Sequence, residues 1–181
     1  QVFADPTLLP LLQTPLSVFI CPSDPDNDLN SNRPYTTIVP GQEILVAKSN
    51  YPANQGDADG TGLIFGNSSV SIGKIPDGTS NTFLVGERKS LGGQWAAVWG
   101  GVENTGGSKS NSEAVMGVTR FRMNDGMAGT NDDDTAVDPN PLRAFGSQHT
   151  GGAHLLLCDG SVQFISATIQ WGFATANTGA D

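Results

Sequence analysis

Two turn dipeptides, Gly151-Gly152 and Asp159-Gly160, bracket a short apolar run, Ala153–Cys158. No other stretch restricts the fold as much. Asp-Gly suits a two-residue type I′ turn, where both central residues need positive φ. After it, Val162, Phe164 and Ser166 alternate with Gln163 and Ile165, the period of a strand with one covered face. Ala144–Ser166 is therefore expected to be a three-stranded antiparallel meander with its middle strand buried. Leu155, Leu157, Val162, Phe164 and Phe83 are the expected core.

The rest of the chain follows the same short-strand logic. Leu8, Leu9, Leu11 and Leu12 suit one helical turn with Pro10 near its start. Leu16–Ile20, Tyr35–Val39, Glu43–Lys48, Leu63–Phe65, Val70–Ile75, Thr82–Arg88 and Val115–Met123 are strand candidates. Asp77–Asn81 reads as a turn able to cap one helical turn. Trp95 and Trp99 lie in Gly92–Gly101, where Gly and β-branched neighbours favour strand. Ser23–Pro34, Asn50–Gly62, Glu103–Glu113 and Asn124–Pro141 are polar loops.

Gly at 23 and Pro at 11, with only 37% hydrophobic residues, favour many short strands over a helical bundle. We read residues 1–181 as one domain of the α+β class with antiparallel β dominant. Lys+Arg 9 against Asp+Glu 18 gives a net charge of -9. No basic cluster is present to release counterions from nucleic acid, and an anionic membrane surface is disfavoured for the same reason.

Chemistry-bearing residues are few. His149 and Asp159 invite acid–base chemistry, but they fall at opposite ends of one strand, too far apart to share a proton. Asp159 is read as a turn-former and His149 as a hydrogen-bonding loop residue. His149 and His154 would face each other across the Gly151-Gly152 turn, a candidate two-imidazole pair without a Cys or carboxylate cluster nearby in sequence. Ser80 has no evident base, and Cys21 lacks the setting of a cysteine protease. No nucleophile elbow, Walker loop or dinucleotide fingerprint occurs. Glu87 is read either as a strand-end ion pair with Arg88 or as buried and bonded to the Asp77–Asn81 turn. The acidic loops offer calcium sites, with solvated loops as the alternative. In one, Asp132, Asp134 and Asp138 are the ligand candidates and Asp133 faces water. Asp57 and Asp59 lie in the other.

Four sequence blocks carry a resemblance. They are Phe19-Ile20-Cys21-Pro22-Ser23-Asp24-Pro25; Ser49-Asn50-Tyr51-Pro52-Ala53-Asn54-Gln55-Gly56; Ile75-Pro76-Asp77-Gly78-Thr79-Ser80-Asn81-Thr82 with Gly86-Glu87; and His149 followed after nine residues by Asp159-Gly160-Ser161-Val162. In this order they resemble a planctomycete-type family of pseudopilin-like envelope proteins of unknown function. The resemblance implies a pilin-like head domain whose N-terminal leader and apolar helix precede the present chain. It implies an exported, envelope-located, non-catalytic subunit of a type IV pilus-like or type II secretion-like assembly. Its partners would be other pilin-like subunits or envelope proteins, and its membrane contact would run through the N-terminal helix. Calcium binding by related pseudopilins adds weight to the acidic-loop sites. The envelope setting and the even cysteine count suggest a Cys21–Cys158 disulfide, with two separate thiols as the alternative. The rival function is a secreted module binding carbohydrate or another extracellular ligand, for which exposed Trp95 and Trp99 would serve as stacking rings.

Overall fold

The computed structural model describes residues 7–36, 43–57, 61–91, 95–100, 114–124 and 143–169. Glycine and proline punctuation keeps the strands short: β1 (Tyr35–Thr36), β2 (Glu43–Ile44), β3 (Lys48–Ser49), β4 (Ala53–Asn54), β5 (Phe83–Gly86), β6 (Ala97–Val98), β7 (Met116–Gly117), β8 (Gly152–Leu157) and β9 (Val162–Ser166). Helix is limited, among the described residues, to α1 (Leu9–Leu12), with Pro10 in its first turn, and to 3₁₀ turns. The class is therefore sheet-dominated, and the sheets are antiparallel and mixed. β1 pairs with β2 and β3 with β6, while a five-stranded sheet runs β7-β4-β5-β8-β9. In it only β4–β7 is parallel. No helix of the described residues is long and apolar enough to cross a membrane.

The second hairpin of the expected meander is present, but its turn differs. Leu157 N–H donates to the Ser161 carbonyl and Gly160 N–H to the Leu157 carbonyl, so the loop holds Cys158, Asp159 and Gly160. Only Gly160 has positive φ, at 86°; Asp159 does not. A three-residue loop needs one left-handed residue at its end, whereas type I′ needs two. The extra loop residue changes the register. A two-residue loop would set Leu155 opposite Phe164 and Leu157 opposite Val162. Instead His154 pairs with Phe164, Leu155 with Gln163 and Leu156 with Val162. A one-residue slip sends every side chain to the other face. Leu155 and Leu157 are buried as expected, but Val162 is 62% and Phe164 49% exposed. Phe83 is half-buried.

The first expected hairpin does not form. Ala144 bridges Val118 in parallel, and the partner of β8 on its inner side is β5. Ser147 holds the turn that enters β8: its hydroxyl donates to the Gly152 carbonyl at 2.7 Å and accepts His149 N–H at 3.0 Å. Three other strand candidates also fail. Ser17–Phe19 is a 3₁₀ turn, Leu63–Phe65 is a series of bends, and Ile72–Lys74 is a 3₁₀ turn. Val18 and Ile72 are strongly exposed, and among the described residues these apolar runs have no sheet neighbour to fix them extended.

One apolar cluster gathers Leu12, Tyr35, Ile44, Val46, Val98 and Ala114 from α1, β1, β2 and β6 and the segments beside them. Phe145 fills a second place, where β5 and β7 both present glycine. A Cβ on Gly86 or Gly117 would lie 2.6 Å from the Phe145 ring.

Candidate functional site

Parts of all four sequence blocks meet at one buried polar cluster. Asn50 is its organiser. Its backbone N–H donates to the Phe19 carbonyl and its Oδ1 accepts Cys21 N–H at 2.9 Å. Its amide also donates to Asp24 Oδ2 and to the Arg88 carbonyl. Asp24 accepts both the N–H and the hydroxyl of Ser90, at 2.9 and 2.8 Å, and faces Lys48 Nζ at 3.8 Å. Both ion partners are almost fully buried. These bonds tie the Cys-Pro-Ser-Asp loop to the start of the second block and to the residues after β5.

Cys21, Glu87 and His149 come together on this frame. Glu87 follows β5, and its backbone N–H donates to the His154 carbonyl. Its Oε2 accepts His154 N–H at 2.6 Å, which fixes the carboxylate. Its Oε1 lies 3.4 Å from His149 Nε2 and 3.8 Å from Cys21 Sγ, and Cys21 Sγ lies 3.8 Å from His149 Nε2. Cys21 and Glu87 are buried, and the His149 side chain is 32% exposed. His154 Nδ1 stands 3.4 Å from the other carboxylate oxygen. The two imidazoles face each other edge-on at 5.1 Å, and the His154 ring meets Phe164 at 5.1 Å. Tyr51 borders the cluster; burial first, then the Cys21 and Glu87 charges, push its phenol up to about 12.

The arrangement does not suit nucleophilic catalysis. In a Cys–His–carboxylate triad the thiol and the carboxylate sit on opposite ring nitrogens, so that one takes the proton and the other orients the ring. Here both approach Nε2. Three different donor atoms around one point are instead the constellation that could hold a metal ion.

The cluster corrects three expectations. Glu87 does not bond the Asp77–Asn81 turn and does not pair with Arg88. Adjacent residues in extended chain point opposite ways, and Arg88 donates instead to the Met116 carbonyl at 2.7 Å. Cys21 and Cys158 are both free, because Cys21 faces Glu87 and His149 while Cys158 sits in the β8–β9 loop. Burial, then Asp159, pushes the Cys158 thiol up.

The other signature residues build turns. Asn54 donates to the Phe83 carbonyl and accepts Gly56 N–H, and Gly56 has φ 100°. Gly78 has φ 79°, and the Asn81 amide and Thr82 hydroxyl close back on the Asp77 and Gly78 carbonyls. Thr79 and Thr82 carbonyls accept the N–H groups of Asp159 and Cys158, so this turn seats the hairpin loop. Pro22, Ser23 and Ser80 are exposed. Asp159 accepts the Ser161 N–H and hydroxyl, which hold its carboxyl below the usual range, as a turn-former should. Asp57 caps Thr61. Asp59, Asp132, Asp133, Asp134 and Asp138 lie outside the described residues. Trp95 lies under the Arg33 guanidinium, 5.9 Å away, and Trp99 stacks on Phe19 at 6.4 Å. Both rings are half-buried.

A family model described as a protein of unknown function (DUF1559) matches residues 3–172. The chain belongs to this family. No curated protein and no solved structure matches it. The family match covers all four blocks, including every residue of the Cys21–Glu87–His149 cluster. Sequence reading missed that cluster although it named each member. No sequence signal joined them, because Glu87 and His149 lie 66 and 128 residues from Cys21.

Proposed function

We propose that this domain is a non-catalytic packing subunit of an envelope assembly, of the type IV pilus-like or type II secretion-like kind that its sequence blocks resemble. The observation that carries this reading is β9. Among the described residues it ends the five-stranded sheet, with Val162 62% and Phe164 49% exposed. An edge strand bearing apolar side chains is a template for another chain unless it is guarded. The use of most signature residues in backbone hydrogen bonds also suits a scaffold. The partly covered rings of Trp95 and Trp99 weigh against a sugar-stacking platform. The test is chemical cross-linking and sedimentation of the full chain against Val162→Asp/Phe164→Asp. Self-association lost in the variant supports the reading. Equal association in both, or a monomer throughout, contradicts it.

A further inference from the structure

We propose that Cys21, Glu87 and His149 bind one transition-metal ion of the zinc type. The separations of their ligand atoms are the first reason. A tetrahedral zinc with Zn–S about 2.3 Å, Zn–N about 2.05 Å and Zn–O about 2.1 Å sets sulfur about 3.6 Å from nitrogen and from oxygen, and nitrogen about 3.4 Å from oxygen. The corresponding distances here are 3.8, 3.8 and 3.4 Å. The His149–Glu87 contact is longer than a good N–H···O hydrogen bond, for which heavy atoms approach to about 2.7–3.2 Å, while the two contacts of Cys21 Sγ lie within the longer reach of weak thiol hydrogen bonds. The atoms form a triangle around a point, and a single thiol proton, shared with Glu87 or with His149, accounts for only one of its three sides.

Charge is the second reason. Glu87 is a buried carboxylate whose ion partners among the described residues are two imidazoles. Burying a carboxylate is costly unless a cation compensates it, and a divalent ion beside Oε1 would do so. The third reason is the outer shell. Metal-binding carboxylates are held by further hydrogen bonds. Glu87 Oε2 takes His154 N–H, and Asn50 holds the Cys21 backbone. One thiolate, one imidazole and one carboxylate form a mixed donor set that selects borderline ions over calcium or magnesium. Water completes the fourth position. This inference is independent of whether the chains assemble.

The experiment titrates the chelator-stripped full chain with Co²⁺, then displaces it with Zn²⁺. Expected are one ion per chain, a near-ultraviolet thiolate-to-cobalt band, and a melting temperature that rises with Zn²⁺. Cys158→Ser should retain the band and Cys21→Ser should lose it. His149→Gln and Glu87→Gln should weaken affinity by more than the ~10–100-fold typical of outer-shell changes, whereas His154→Gln, which keeps the backbone N–H that Glu87 Oε2 accepts, should weaken it by less than that. His149 is partly exposed, so its variant keeps the test valid if Cys21→Ser fails to fold. Absence of the band in the wild-type chain, or a band that survives Cys21→Ser or follows Cys158, overturns the proposal.

Discussion

Replacing Asp24 by Asn tests how the signature loop is held. The carboxylate accepts hydrogen bonds from Ser90 and Asn50 and faces Lys48, and the two ion-pair side chains are 1% and 2% exposed. Asparagine keeps an acceptor for Ser90 but removes the charge. Lys48 is left with the Asp26 carbonyl, 2.9 Å from Nζ, and its ammonium becomes a buried charge without its carboxylate. Breaking a buried pair from one side costs about 3–5 kcal/mol. Against a total stability of about 5–15 kcal/mol this is a large fraction. Urea unfolding should show a lower midpoint with an unchanged slope. Adding Lys48→Met should then restore part of the loss, because removing both charges avoids the orphan. A loss below ~0.5 kcal/mol, the size of an ordinary surface change, would mean that Lys48 is not stranded by the substitution. Strict additivity of the two single variants would mean that Asp24 and Lys48 are not coupled.

The remaining predictions use the same unfolding assay or a spectrum. Leu155→Ala should cost about 2–5 kcal/mol, whereas Phe164→Ala, on the exposed face, should cost only ~0.2–1 kcal/mol through its cross-strand contact; equal losses would contradict the register. Gly86→Ala should cost about 1–3 kcal/mol by driving a Cβ into the Phe145 ring, and Phe145→Leu should recover part of it. With chelator present, the Tyr51 phenol should ionise near pH 12 rather than 10. Its folded pKa is raised, so its contribution is complete below pH 10 and is lost as pH rises towards 12. A difference spectrum of Tyr51→Phe that titrates near pH 10 would contradict this.

The sheet character was legible because Gly and Pro spacing leaves room only for short strands. The strands Phe83–Gly86 and Gly152–Leu157 were also legible, as the runs Thr82–Arg88 and Ala153–Cys158, since apolar residues cluster there between turn signals. Phe164 was misplaced for one reason. Asp159-Gly160 fits a two-residue turn and a three-residue loop alike, and the choice inverts the face of the whole strand. The choice depends on where β8 meets β5, a long-range pairing that no local dipeptide encodes. Leu63–Phe65 and Val70–Ile75 failed because β propensity reflects packing on a paired strand, and among the described residues neither segment has one. The site was legible only in pieces. Cys21, Glu87 and His149 stood out separately, but their meeting depends on Asn50 binding the Phe19–Cys21 segment, and on Glu87 receiving His154 N–H. The disulfide expectation failed at the same point, because cysteine counting says nothing about which group occupies the space beside Cys21.

Cys21 and His149, 128 residues apart in sequence, meet beside Glu87. The most direct measurement is a ¹³C/¹⁵N-edited nuclear Overhauser spectrum of the chelator-treated full chain. Cross-peaks are expected from the His149 ring to the Cys21 β-protons, alongside His154-to-Phe164 ring contacts. His149 ring contacts confined to sequence neighbours and the β8 turn, or Cys21 contacts to Cys158 in their place, would contradict that meeting.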